Sequence, residues 1–347
     1  MRAQLSPLPP LPDFIDAGRT LRAAGSGRKV RPPSFRSDVA ALQVWLNTEG
    51  AGLEEDGKLG PATDAALARY GLPPATEVPQ LCAWVGRAWA SEPKAMAEKA
   101  QELGLSRVSM FLNPLDGTGI FSCFGSEARM VAALDAFASA GVGVDFTAWI
   151  WPRPSYVSGM QAAISDVLDE YRGVRLCLDC EGPWGRPAPA RERAAVVSAL
   201  TDWLPAERLM VTDYASIQEP TVTLCLPGVT VVPQVYSVAE TRNGVTDPSS
   251  IYWPGRTQPY GMHPRRWGGM LETCPLEMGL ASYKPFPASP GGFSGSPGEW
   301  QVLTQVRAAM WYRPRRLWFW ELTRMAPAHE STIRRLTGNV ANPGVVA

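Results

Sequence analysis

The sequence predicts an α/β fold: a (β/α)8 TIM-like barrel preceded by a small all-α domain. Three observations carry that expectation. Eight short apolar runs recur between residues 81 and 321, each nearly continuous, as strands buried on both faces require. Patterns of helical period lie between most of them. Residues 35–72, upstream, instead place apolar side chains at helical spacing around a Gly-rich turn. Residues 80–347 are long enough for one complete barrel. A doubly wound open sheet is the competing arrangement.

In chain order, residues 1–34 are rich in Pro, Gly, Ser and Arg and read as an extended arm. They are either a passive tail or a segment that docks to a phage or injection particle. In residues 35–72, Val39, Leu42, Trp45 and Leu46 share a helix face, with Ser37 or Asp38 as N-cap. Asp56 and Gly57 make a tight turn, Gly60 supplies an unusual backbone angle, and Pro61 opens a second helix through Ala65, Ala66, Leu67 and Tyr70. Residues 73–79 hold three prolines and form a semi-rigid linker. Strands are then expected at Leu81–Val85, Arg107–Leu112, Gly143–Trp151, Val174–Cys180, Arg208–Asp213, Val229–Tyr236, Leu280–Pro285 and Leu317–Glu321. Helices are expected at Glu92–Leu103, Ser126–Ala140, Ser155–Tyr171, Pro189–Leu204, Pro297–Arg313 and Ala328–Leu336. No clear helix joins the fifth and sixth strands. A long insertion, Ala239 to Met278, follows the sixth and carries several aromatics, so it is expected to be ordered and to lie over the strand ends.

Bulk properties exclude several classes. Lys+Arg and Asp+Glu are equal at 33 each, so no net charge draws the chain to nucleic acid or an anionic membrane. No run of about 18 apolar residues occurs, so no membrane insertion is expected. His263 and His329 are too few and too isolated for a His-rich zinc site. Cys177 and Cys180 have CxxC spacing, but three residues along a strand turn the second side chain to the opposite face. No metal and no cofactor is expected. The first ten residues lack a continuous apolar stretch, which reads as synthesis in the cytoplasm without a standard signal peptide.

In such a barrel the chemistry lies at the C-terminal ends of the strands. The fourth predicted strand ends Asp179-Cys180-Glu181. Two residues apart on a strand, the carboxyls project to the same side, and mutual repulsion favours keeping one protonated near neutral pH. A glycosidic bond needs a proton on its leaving oxygen and stabilisation of an oxocarbenium-like centre. Glu181 is the candidate general acid. Asp179 is the candidate helper, as nucleophile or as the group that orients an acetamido substituent. Their closeness does not suit the inverting gap of about 6.5–9.5 Å. Asp213, ending the fifth strand, is the reserve carboxylate. Candidate substrate-binding residues are Trp149, Trp151 and Trp320 as aromatic floor, and Tyr214, Gln234, Tyr236 and Lys284 as hydrogen-bonding groups. For each aromatic, packing inside the barrel is an equal alternative. Glu321 is either a site acid or an ion-pair partner of Lys284.

Two resemblances add to this reading. Leu42-Gln43, Leu46-Asn47, Gly50, Asp56-Gly57-Lys58-Leu59-Gly60-Pro61-Ala62-Thr63 and Ala66-Leu67 resemble the three-helix peptidoglycan-binding module. The Asp-x-Glu at the end of a fourth barrel strand resembles glycoside hydrolase family 25 lysozymes and related cell-wall barrels. That resemblance implies Glu181 as acid and Asp179 as helper. The family's usual Asp at the end of strand 1 has no counterpart in Leu81-Cys82-Ala83-Trp84-Val85-Gly86. Together the resemblances imply a muramidase-like peptidoglycan hydrolase, as in a phage endolysin or delivered lytic effector, acting on glycan strands at the bacterial cell wall or periplasm. A non-catalytic glycan-binding or structural protein with a degenerate barrel is the alternative.

Overall fold

A computed structural model of the chain describes residues 43, 47, 51–56, 62, 66, 79–86, 92–113, 125–184, 190–214, 219–234, 239–242, 245–251, 270, 273–283, 296–310 and 314–338. Among the described residues there are ten strands: β1 (Gln80–Val85), β2 (Arg107–Phe111), β3 (Gly143–Trp149), β4 (Leu176–Asp179), β5 (Leu209–Tyr214), β6 (Thr230–Gln234), β7 (Ala239–Arg242), β8 (Val245–Ile251), β9 (Met278–Ala281) and β10 (Arg316–Trp320). Eight of them close a parallel barrel in the order β1-β10-β9-β6-β5-β4-β3-β2, the predicted (β/α)8 arrangement. The helices α1 (Pro93–Glu102), α2 (Glu127–Ser139), α3 (Pro154–Glu170), α4 (Glu181–Trp184), α5 (Ala190–Trp203), α6 (Pro297–Met310) and α7 (Pro327–Leu336) occupy the crossovers. Four of the long helices begin with Pro, where the missing N–H leaves no intrahelical bond unmade.

Strand alternation builds two cores. Leu81, Ala83 and Val85 of β1, and Leu176 and Leu178 of β4, face the helices and join the large outer core. Cys82, Trp84, Phe111, Cys177, Met210, Val232 and Trp318 fill the barrel interior. Cys177 and Cys180 therefore fall in different cores, as their three-residue spacing requires. Trp84 crosses the interior toward β9, where a Cβ on Gly279 would stand 3.1 Å from the indole, tight enough that the ring would have to shift.

The N-terminal floor of the barrel is ionic. Arg107 holds Asp145 in a fork (3.0 and 2.7 Å), and Arg175 bridges Asp145 (2.8 Å) and Glu277 (2.9 Å). Arg316 (2.6 Å) and the Trp318 indole (2.6 Å) complete the shell of Glu277. Burial alone would push Asp145 up, but the Arg175 and Arg107 guanidiniums outweigh it and hold its carboxyl below the ordinary value. Conserving every donor here matters because an unpaired buried charge costs far more than the pair yields.

The largest departures from the sequence expectation lie in the seventh barrel strand, the β5–β6 crossover and the insertion. The seventh barrel strand begins at Met278 and ends at Ala281, rather than spanning Leu280–Pro285. Its approach is fixed earlier, by a parallel bridge of Val231 to Leu276 and by Val231 N–H bonding to the Pro275 carbonyl (2.9 Å). The crossover from β5 to β6 carries a 3-10 helix, Glu219–Leu224, which has too few residues to show a helical period. Within the insertion, β7 and β8 pair as an antiparallel ribbon, and residues 252–269 lie outside the described residues. Much of residues 1–72 also lies outside them. Where residues 35–72 are described, the Asn47 amide accepts from Leu53 N–H (2.6 Å) and donates to the Leu53 carbonyl (2.9 Å), and Gln43 donates to Asp56 (2.9 Å). These motif side chains close the Gly-rich turn. Among the described residues, no helix is long and apolar enough to cross a membrane.

Candidate active site

The site is organised by the short strand β4. Cys177 and Asp179 point into the barrel, and the backbone at its end is fixed by Ile150 N–H to the Asp179 carbonyl (3.2 Å) and Cys180 N–H to the Thr212 carbonyl (3.0 Å). Asp179 is only 3% exposed. Glu181 is not part of the strand, as the i, i+2 argument assumed; it opens the helical turn α4. The chain leaves the sheet there because Gly182-Pro183 cannot continue a strand and Trp184, fully buried, anchors the turn with its N–H on the Cys180 carbonyl (3.1 Å). Glu181 thus sits half-buried on the C-terminal rim, above Asp179.

Gln234, at the end of β6, ties the acids together. Its amide donates to Asp179 Oδ1 (3.3 Å) and also hydrogen-bonds Glu181. Burial, then repulsion from Glu181 and Asp213, lifts the Asp179 carboxyl well above its usual range, against the opposing pull of the Gln234 bond. Burial also raises Glu181; the Gln234 bond opposes this and the Asp213 charge adds to it. The pair therefore keeps a proton at higher pH than a lone surface carboxylate would, which suits a group that must give one away. Among the described residues, no group of His, Cys, Asp and Glu is arranged to hold a metal ion.

Asp213 is placed differently from its expected role. On β5 it shares the outward-facing set with Leu209 and Val211, and it is fully buried. Its neighbours there include Cys180 and Cys225, whose thiols it helps to raise, after burial. It acts on the two acids through its charge, from behind the barrel wall, and is not a second rim carboxylate.

The aromatics divide. Trp149, half-buried, is paired in register with Asp179, so the two stand side by side on the inner face. Asn113 fixes it: the amide donates to the Trp149 carbonyl (2.7 Å) and accepts from its N–H (2.9 Å). Trp151 packs edge-on to Trp149 (6.2 Å) and carries the Arg153 guanidinium 5.5 Å from its ring centre, so a sugar would compete with that cation for the ring. Trp320 is engaged with Trp84 (5.9 Å) and Phe111 (5.3 Å), capping the interior aromatic cluster. Glu321 lies across the barrel from β4 and is 6% exposed. Its carboxylate accepts from Thr323 (2.7 Å) and pairs with Arg324 (3.1 Å). It also fills the space beside β1, where a Cβ on Gly86 would stand 2.6 Å from Oε2. The strand end that lacks an acid of its own is thus faced by one from β10.

Tyr236 and Lys284 lie outside the described residues, as does the Tyr214 side chain. Tyr283 was not among the candidates, yet its half-buried phenol lies close enough to Glu181 for that charge, after burial, to raise its pKa.

No protein-family model matches this sequence, and neither does any curated protein. Solved structures do align. A broad-specificity endoglucanase of family 5 from Clostridium longisporum aligns with TM-score 0.48 and 13% identity over 71% of this chain and 85% of that one. A family 18 chitinase from Cycas revoluta aligns with TM-score 0.48 and 13% identity over 75% of this chain and 99% of that one. Tryptophan synthase from M. tuberculosis aligns with TM-score 0.42 and 14% identity over 77% of this chain and 94% of that one. These likenesses are of fold, which unrelated chemistries share.

Proposed function

We propose that the protein is a peptidoglycan hydrolase of the glycosidase type, muramidase-like, acting on glycan strands of the bacterial cell wall as a phage endolysin or delivered lytic effector does. The observation that carries this reading is the pair of protonatable carboxyls, Asp179 and Glu181, joined by Gln234 on the C-terminal rim of the barrel. Glu181 gives its proton to the glycosidic oxygen as the C1–O bond breaks. Asp179, deeper in the barrel, meets the positive charge that develops at C1, either directly or by orienting an N-acetyl group that does so. Water then completes the hydrolysis, with Glu181 taking back a proton. Trp149 beside Asp179 supplies an apolar face for the sugar ring.

The substrate class rests on the peptidoglycan-binding signature in residues 35–72. A tethered wall-binding module raises the local concentration of an insoluble polymer, an avidity effect that needs no new contact in the barrel. The second reading, a non-catalytic wall-binding protein, is favoured by the absence of an acid at the end of β1, where Gly86 stands.

Digestion of purified peptidoglycan, with mass spectrometry of the products, separates the two. New reducing ends from the wild type and none from Glu181→Gln support the glycosidase. Intact wall in both cases supports the binder. Equal lysis by both proteins rules out the assigned acid.

A further inference from the structure

A chain of contacts runs from Asp179 outward along the end of β3 and finishes on a cation. Trp149 is paired in register with Asp179, and Trp151 packs edge-on against Trp149 with ring centres 6.2 Å apart. Arg153 follows, its guanidinium carbon 5.5 Å from the centre of the Trp151 ring. The backbone that carries this cation is stiff. Pro152 is buried, and Arg153, set before Pro154, takes the extended conformation that a following proline imposes (φ −131°, ψ 130°). Arg153 N–H donates to the Trp151 carbonyl (2.7 Å), and the Arg153 carbonyl accepts from Tyr156 N–H (3.0 Å) as α3 begins. The guanidinium is therefore held over its ring by a braced segment between strand and helix.

Its charge is not neutralised there. Arg153 is exposed, and among the described residues no carboxylate forms an ion pair with it, whereas Arg324, beyond the end of β10, is committed to Glu321 (3.1 Å). An aromatic ring engages the face of a guanidinium and leaves its in-plane N–H donors for an acceptor. That planar fork matches a carboxylate better than it matches a sugar hydroxyl. Two ring contacts out from Asp179, the acceptor belongs to a sugar unit beside the one whose bond breaks. Neutral glycans such as chitin carry no carboxylate. In peptidoglycan every second sugar bears a lactyl ether whose carboxyl is free or extended by a stem peptide with carboxylates of its own. We propose that Arg153, seated on Trp151, is a specificity-determining residue that binds a carboxylate carried by the glycan next to the cleaved bond, so that the site selects an acidic glycan over a neutral one. Trp151 then supports the cation, and the sugar floor is Trp149. The proposal rests on the glycosidase reading above for its substrate and adds the charged group that the site recognises.

The test is calorimetric binding to the full-length Glu181→Gln protein, in which the assigned acid is removed. The ligands are short chains of alternating N-acetylglucosamine and N-acetylmuramic acid in three forms: with free lactyl carboxylates, with those carboxyls converted to neutral methyl amides, and with stem peptides attached. The free acid binds roughly 3- to 10-fold more tightly than the methyl amide, somewhat more than an exposed ion pair alone gives, because the ring holds the guanidinium in place. Adding Arg153→Gln brings the two affinities together, and Arg153→Lys keeps part of the difference, as a charge without the planar fork. An Arg153-dependent gain seen only with the stem-peptide form supports the carboxylate recognition and assigns its source to the peptide. Equal binding of all three forms, or a preference that survives Arg153→Gln, overturns the proposal and leaves the glycosidase reading standing. No binding of any form, together with no new reducing ends from the wild type on peptidoglycan, overturns both.

Discussion

Replacing Asp179 with asparagine makes the protein more stable at neutral pH while removing its activity. The substitution preserves shape, and the asparagine carbonyl accepts the Gln234 bond that Asp179 Oδ1 now accepts at 3.3 Å. It removes a charge that is 3% exposed and repelled by Glu181 and Asp213. Substitutions that relieve such functional strain yield about 0.5–2 kcal/mol. In a domain of this size each kcal/mol moves Tm by roughly 2–4 °C, so the gain is about 1–8 °C. The pH dependence gives the sharper check. The folded-state pKa of Asp179 is raised, so the native state holds this proton more tightly than the unfolded chain. The wild type has no penalty from Asp179 below the unfolded value of about 4, and loses stability as pH rises through the raised one. Calorimetric melts from pH 4 to pH 8 therefore show wild type and variant converging at the acid end and separating toward neutrality. A variant less stable at pH 7, or a difference flat across the range, refutes the reasoning: the charged form would then be favoured by the fold, and Asp179 and Glu181 would not share a proton.

Three further outcomes follow from other parts of the barrel. Arg175→Met leaves Asp145 and Glu277 buried with fewer partners, and costs about 3–5 kcal/mol in urea melts; a loss under about 1 kcal/mol would show the ionic floor to be dispensable. Gly86→Ala places a Cβ against the Glu321 carboxylate and must displace it from Thr323 and Arg324, costing about 1–3 kcal/mol; adding Glu321→Ala opens the space and recovers part of that loss. His329 acts opposite to Asp179 with pH. Its folded pKa is lowered, so its contribution is complete above the unfolded value of about 6.5 and is lost as pH falls, and His329→Asn abolishes that acid sensitivity in the same melts.

How far the sequence reaches is visible at β4 and β9. Period-two alternation put Cys177 and Cys180 on opposite faces, and the structure has Cys177 in the barrel interior and Cys180 in the outer core. The same rule, carried two residues past Asp179, failed for Glu181, since Gly182-Pro183 and the buried Trp184 turn the chain into α4. Asp213 was expected on the rim only because it lies at the end of the fifth strand; counting from Met210 in the interior, residue 213 faces the helices. At β9 the error came from Glu277 and Gly279, a charge and a glycine that local propensity rejects in a strand. Both are set by distant partners, Glu277 by Arg175, Arg316 and Trp318, and Gly279 by the bulk of Trp84. Local patterns locate the acids, but the place of Gln234 between them is fixed only when β6 meets β9, a contact between residues 45 apart that no local window contains.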